Sequence, residues 1–150
     1  MADIKSPEER SRNMAAIKGK DTKPEVFLRK QLFAKGFRYR TNSSIVPGHP
    51  DIWLRKYNAA IFVNGCFWHR HTGCKYAYVP KSRIEFWNTK FERNVLRDLE
   101  VRRQLKESGI KCLVIWECSI KKMIKQDGYR NECIDLIEQF LTSQSLYEEI

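Results

Sequence analysis

A mixed α/β domain is the fold class this chain predicts, on three observations. Capping boxes precede amphipathic runs, which marks helices; short apolar runs bounded by polar turns alternate with them, which marks strands; and two of those strands are joined by a tight turn, which makes part of the sheet antiparallel. Helices should therefore flank a mixed β-sheet in two or three layers.

The first element is read at Ser6-Pro7-Glu8-Glu9, a capping box with proline at the first helical position. A helix over about 7–17 is expected, with Arg10, Arg12 and Lys18 on its face. Thr22-Lys23-Pro24-Glu25 is a second capping box, opening an amphipathic helix through Val26, Phe27, Leu28, Leu32 and Phe33 that Gly36 should close. Glu25 thus has a plain job as cap partner, and these residues alone favour that over catalysis. Phe37 to Arg40 alternates as a strand does, and the polar loop after it ends in the turn Pro47-Gly48-His49-Pro50.

Asp51 to Arg55 reads as the next strand, Lys56-Tyr57-Asn58 turns the chain, and Ala59 to Val63 is a more apolar, hence central, strand. A carboxylate at a strand mouth suits a Mg2+ ligand; Asp51 suits a cap of the preceding turn as well. Ser82-Arg83-Ile84-Glu85 is a third capping box, starting a long helix that ends at Gly109. Its core stripe should be Ile84, Trp87, Phe91, Val95 and Leu99, with Lys90, Arg93, Arg97, Arg102 and Arg103 off it. A third buried strand, Ile110 to Trp116, leads through Glu117 and Cys118 into two short amphipathic helices around 120–124 and 130–141.

The densest chemistry lies between the second strand and the long helix. Cys66, His71 and Cys74 read Cys-x4-His-x2-Cys, and such a trio can close on one zinc if a fourth ligand comes from elsewhere; Cys118 is the candidate. A closed Cys3His site has no open position, so this zinc would be structural, pinning a loop with too little apolar material to fold alone. Ordinary thiols and a surface histidine are the alternative. Phe67 and Trp68, lying between the ligands, cannot both point inward, so an exposed aromatic wedge is expected there. His69 is outside the ligand set, free for proton transfer or phosphate contact.

Composition sets the remaining bounds. With 28 Lys and Arg against 18 Asp and Glu, the formal charge is +10, which favours a polyanionic partner over a merely solvated basic surface. The cysteine count is odd, no apolar leader follows the polar N-terminus, and no stretch approaches the roughly 20 apolar residues of a membrane span. A soluble protein of a reducing cytoplasm is expected, where clustered Cys and His favour metal over disulfide. The length suits one core, and no repeat or linker interrupts it, so residues 1–150 read as a single domain.

Several of these residues together match a known pattern. Pro50-Asp51, the run from Phe62 to Cys74, Glu85-Phe86-Trp87, Asn94-Val95, Arg97-Asp98 and Val114 to Cys118 resemble the very-short-patch repair (Vsr) endonucleases, a likeness that extends back to Arg12. The resemblance implies a restriction-endonuclease-like core and a bacterial, Mg2+-dependent enzyme. Its relatives nick double-stranded DNA on the 5′ side of the thymine in T:G mismatches left by deamination of 5-methylcytosine. By the same resemblance Mg2+ is held by Asp51 and by the main-chain carbonyl of Val63, because Ile61 to Asn64 carries no carboxylate where nucleases of this fold usually have one. Glu25 acts further out through a water, and His69 is the general acid or base. Family members often have histidine where this chain has Asn64, which can position a phosphate but cannot carry a proton.

Phe67, Trp68 and Trp87 would unstack the DNA beside the mismatch, with Met14 and Ile17 of the N-terminal arm entering from the opposite groove. Basic residues such as Arg97 would contact phosphates. Mismatch-repair proteins of the MutL/MutS type, a cognate cytosine-5 methyltransferase, and action as a monomer on the nucleoid are implied in the same way. Against this nicking enzyme stand a zinc-stabilised DNA-binding module without chemistry and a nuclease of the same fold acting on other DNA structures. Asp51, His69 and Glu25 together favour the enzyme, since a module has no use for that set.

Overall fold

The computed structural model describes residues 20–150. The helix expected over 7–17, with Met14 and Ile17, lies outside them. In chain order the elements are α1 (Lys23–Ala34), β1 (Ile52–Leu54), β2 (Ala59–Asn64), α2 (Ile84–Glu107), β3 (Lys111–Trp116), α3 (Glu117–Lys125), α4 (Asp127–Thr142) and β4 (Tyr147–Glu149). The sheet is mixed as expected: its order is β1-β2-β3-β4, with β1 antiparallel to β2 and the other two pairs parallel.

Alternation along the two central strands divides the core into two layers. Ile61, Leu113 and Ile115 face Leu28 and Leu32 of α1, Ile120 and Met123 of α3, and Ile137 and Phe140 of α4. Ala60, Cys112, Val114 and Trp116 face the other way, toward Leu105 of α2 and Val46 of the loop before β1. Because β2 and β3 are covered on both faces they are apolar apart from Asn64 and Lys111 at their ends, which is why they could be read from the sequence. At fully buried positions such as Ile61 and Leu113, truncation to alanine would cost about 2–5 kcal/mol.

Helix ends follow local chemistry. α1 begins where Thr22 Oγ1 accepts from the Glu25 N–H at 3.4 Å, but the return bond of the expected capping box is displaced: Glu25 Oε2 accepts from the Asp21 N–H at 2.8 Å. α1 closes in a Schellman motif, Phe37 N–H to Leu32 O and Gly36 N–H to Phe33 O, with Gly36 at φ +94. Gly48, at φ +81, is also wedged: a Cβ there would lie 2.4 Å from Val101 Cγ1 and 3.1 Å from the Phe62 ring. That turn is pressed between α2 and β2, and it aims Asp51.

Three expectations are corrected, and one strand went unread. Phe37 to Arg40 is not a strand; only Arg40 pairs, in a bridge to Trp53, because Phe37 and Tyr39 pack against the α1 layer. α2 does not open on the Ser82 capping box: it starts at Ile84 after Arg83, which is left-handed at φ +54 and makes no side-chain cap. The stripe of α2 is displaced too, with Ile84 and Leu99 exposed and Phe91 and Leu105 buried, because its N-terminal half covers the loop after β2 and not the sheet. β4 went unread, being a short edge strand of charged residues that pairs only with β3.

Candidate active site

Asp51 lies where the β1–β2 ladder runs out. The strands pair as far as Ile52↔Ile61, and beyond that the Val63 N–H donates to Asp51 Oδ2 at 2.7 Å. A carboxylate has replaced a ladder carbonyl. Burial pushes its pKa up to about 6, and the nearby Glu25 adds to the rise, while the Val63 bond and the charges of Arg29 and His69 oppose it.

Glu25 is brought to the same place, at 4% exposure. Between the two acids stands Arg29, whose Nη2 donates to Glu25 Oε2 at 3.4 Å and to the Asp51 carbonyl at 3.3 Å. Its Nη1 bonds to Asp21 Oδ1 at 2.6 Å. Buried oxygen donors gathered at one strand end fit a hard divalent cation.

His69 approaches from the loop after β2. Its Nδ1 pairs with Asp98 Oδ2 of α2 at 2.7 Å, which fixes the ring and turns Nε2 outward as the proton-accepting end when the imidazole is neutral. Asn64, His69, Asp98 and Arg97 line one cleft of about 440 Å3 between α2 and the sheet. Its position makes Asn64 a neighbour of the histidine, buried at the end of β2.

The Cys/His loop closes as a single cluster. The side-chain donor atoms of Cys66, His71, Cys74 and Cys118 all lie within 4.8 Å of one another, which fits one tetrahedral ion with sulfur and nitrogen ligands. Cys118 Sγ is 3.5 Å from His71 Nδ1, and the His71 ring stacks on Trp116 with centroids 4.1 Å apart. Cys112 and Cys133 are buried elsewhere.

The exposed aromatic wedge expected here is part of an aromatic cluster. Phe67 contacts Trp68, Tyr78, Trp87 and Phe91 at centroid distances of 5.1–5.4 Å, and Trp68 meets Trp87 at 5.8 Å. Phe67, Trp68 and Trp87 remain half-buried, so rings packed on one side still present area to a partner. Two residues of the recognised pattern that had been given no role hold the cluster in place. Asn94 Nδ2 donates to the Trp68 carbonyl at 3.0 Å, and Arg70 donates to the carbonyls of Phe67, Ala77 and Tyr78.

A Pro-Asp strand mouth, an imidazole–carboxylate pair and a closed Cys/His loop thus occupy one end of the sheet, and comparison with known proteins places this combination. The family model described as DNA mismatch endonuclease Vsr matches residues 2–75. The type II nicking enzyme V.NmeAIP of Neisseria meningitidis is 45% identical over 121 residues, covering 81% of this chain and 86% of the relative. The chain belongs to the Vsr family. The DNA mismatch endonuclease Vsr of Escherichia coli is 40% identical over 121 residues, 81% of this chain and 77% of the relative, and the type II nicking enzyme V.XorIIP of Xanthomonas oryzae pv. oryzae is 37% identical over 123 residues, 82% and 90% respectively. Membership makes this a DNA-cleaving hydrolase of restriction-endonuclease-like fold, and an endonuclease of this kind uses a divalent metal. Among the described residues no helix is long and apolar enough to cross a membrane.

Asp98 and Arg29 are the site residues that the sequence did not single out for a role. Asp98 has a signal in hindsight, since Trp87, Phe91, Asn94 and Asp98 recur at helical spacing on the face of α2 that meets the loop. Arg29 has none, because an arginine on an amphipathic helix reads as a solvated charge.

The raised pKa of Asp51 has a consequence for stability. Folding favours the protonated acid, so its contribution is complete below the ordinary carboxylate pKa and is lost as pH rises through about 6. Asp51→Asn keeps an acceptor for the Val63 N–H and carries no charge. Without added divalent cation it should exceed the wild type by ~2–3 kcal/mol near pH 8 and match it near pH 4, by denaturant unfolding. Equal stability at both pH values would mean that the Asp51 carboxylate is well solvated.

Proposed function

We propose that this Vsr-family chain nicks double-stranded DNA on the 5′ side of the thymine of a T:G mismatch, by Mg2+-dependent hydrolysis of the phosphodiester. The observation that carries the reading is the acid pair of buried Glu25 and half-buried Asp51 at a strand mouth in a protein of net charge +10. A DNA-binding module would gain nothing from burying two carboxylates where it must approach phosphates.

In this reading Asp51 and the Val63 carbonyl hold Mg2+ directly, and Glu25 contributes through an intervening water. A strand residue's N–H and C=O point to the same edge, so the bond from Val63 N–H to Asp51 supports a carbonyl facing the same carboxylate. Bound there, Mg2+ supplies positive charge to the phosphate and to the leaving oxygen. His69, held by Asp98, exchanges the proton at Nε2, either with the attacking water or with the leaving oxygen. Asn64 lies beside it and donates a hydrogen bond to the phosphate, taking no part in proton transfer.

Phe67, Trp68 and Trp87 stack into the DNA next to the mismatch, where a wobble pair opens more cheaply than a matched one. The bacterial cytoplasm, a monomeric state, MutL/MutS-type partners and a cognate cytosine-5 methyltransferase follow from the family resemblance alone. Labelled duplexes differing only in a central T:G, C:G, T:A or U:G pair test the function. With Mg2+ the T:G strand should be nicked 5′ of the thymine and matched duplexes left intact; EDTA or Asp51→Ala should abolish the cut while mismatch binding persists. Nicking by Asp51→Ala at the wild-type rate would move the catalytic centre elsewhere, and cutting of all duplexes alike would remove the mismatch from the account.

The cluster of Cys66, His71, Cys74 and Cys118 is assigned a structural zinc, because three thiols and an imidazole suit a soft ion and leave no open position. Protein purified without chelators should carry one zinc per chain by elemental analysis. Cys118→Ser should lose most of it and melt earlier, whereas Cys133→Ser should keep it. Metal-free wild-type protein that is fully folded would contradict the assignment.

A further inference from the structure

Arg29 is an expensive residue to bury. It is 8% exposed, and its buried Nε–H has no hydrogen-bond partner. One of its bonds, to Asp21 Oδ1, is short at 2.6 Å; the other two, to Glu25 Oε2 and the Asp51 carbonyl, are long at 3.4 and 3.3 Å. A guanidinium kept for stability would have its donors met at good distances, and an apolar side chain of similar volume would fill the place at least as well. Both long bonds converge on the two acids of the active site.

We propose that Arg29 is a positioning residue of that site, clamping the Glu25 carboxylate and the Asp51 main chain so that both acids are in place for a divalent cation before it arrives. The proposal rests on the reading of Asp51 as a metal ligand. Asp51 is then fixed at both ends, its carbonyl by Arg29 and its carboxylate by the Val63 N–H. Glu25 is fixed in the same manner, by Arg29 and by the Asp21 N–H.

Two carboxylates brought together repel each other and drift apart unless a partner holds them, and Arg29 is bonded to one carboxylate and to the main chain of the other. A planar fork is required, because a lysine ammonium is a single point charge and cannot serve Asp21, Glu25 and Asp51 together. A pure charge role predicts the reverse behaviour. A fixed cation repels an incoming one, so its removal would then tighten metal binding.

Mn2+ binding to the free protein, read by electron paramagnetic resonance, separates these cases. Arg29→Met and Arg29→Lys should each weaken binding by about tenfold or more, as loss of a ligand's supporting partner does. On a Glu25→Gln background, where only the Asp51 half of the clamp remains, adding Arg29→Met should cost clearly less than it does in the wild type. Melting curves control for folding, and if Arg29→Met unfolds early the Lys variant carries the comparison. Wild-type or tighter binding in either variant, or the same loss with and without Glu25, overturns the clamp. A wild type that binds no Mn2+, or binds it equally with Asp51→Ala, defeats the metal-site reading and the clamp with it.

Discussion

The hydrogen bond from Val63 N–H to the Asp51 carboxylate is the contact on which the rest of the site depends. It forms because the β1–β2 pairing ends at Ile61, two residues before Val63, leaving a main-chain donor that the sheet cannot satisfy. A carboxylate brought in to satisfy it is buried as a consequence. Burial raises its pKa, and the acid then needs either a proton, a fixed cation or a metal beside it. Arg29 partly meets that need, and the turn at Gly48, pressed against α2, fixes where Asp51 enters.

A second constraint joins the loop after β2 to α2. The loop carries the Cys/His cluster, His69 and the aromatic rings, and it has few apolar residues of its own with which to hold a shape. Three kinds of contact from α2 supply it: Phe91 under Phe67, Asn94 to the Trp68 carbonyl, and Asp98 to His69. One helix face therefore orients both the histidine proposed for proton transfer and the rings that would meet DNA. A structural ion at the cluster would tie the far end of the loop to Cys118 at the start of α3, closing the frame around β2 and β3.

The legible parts of this molecule were those governed by local pattern or by chemistry that few residue types can perform. β2 and β3 are apolar on both faces and could not be mistaken, and a thiol 47 residues beyond His71 could be named as its neighbour because thiols near strand ends are few. Residues whose role depends on tertiary neighbours were opaque. Asp98 and Arg29 are charged residues on helices, and only the fold shows that one meets an imidazole and the other two acids. Phe37 to Arg40 alternates like a strand and was drawn off by packing against α1, while β4 has no apolar pattern to betray it. The stripe of α2 misled because the helix overhangs the sheet, so helical periodicity marked a contact line with the wrong partner.

The central claim is that the Asp51–Val63 junction, with Glu25 beside it, is where the catalytic cation binds. Substoichiometric Mn2+ added to isotope-labelled protein broadens amide signals nearest the bound ion, and the Val63 amide is itself bonded to the proposed ligand. Broadening should appear first at Asp51, Val63 and Asn64 and spare Cys133 and Phe140 in α4. Loss centred instead on exposed acids such as Glu100 and Glu107, with the Val63 signal intact at the same Mn2+ level, would contradict the account.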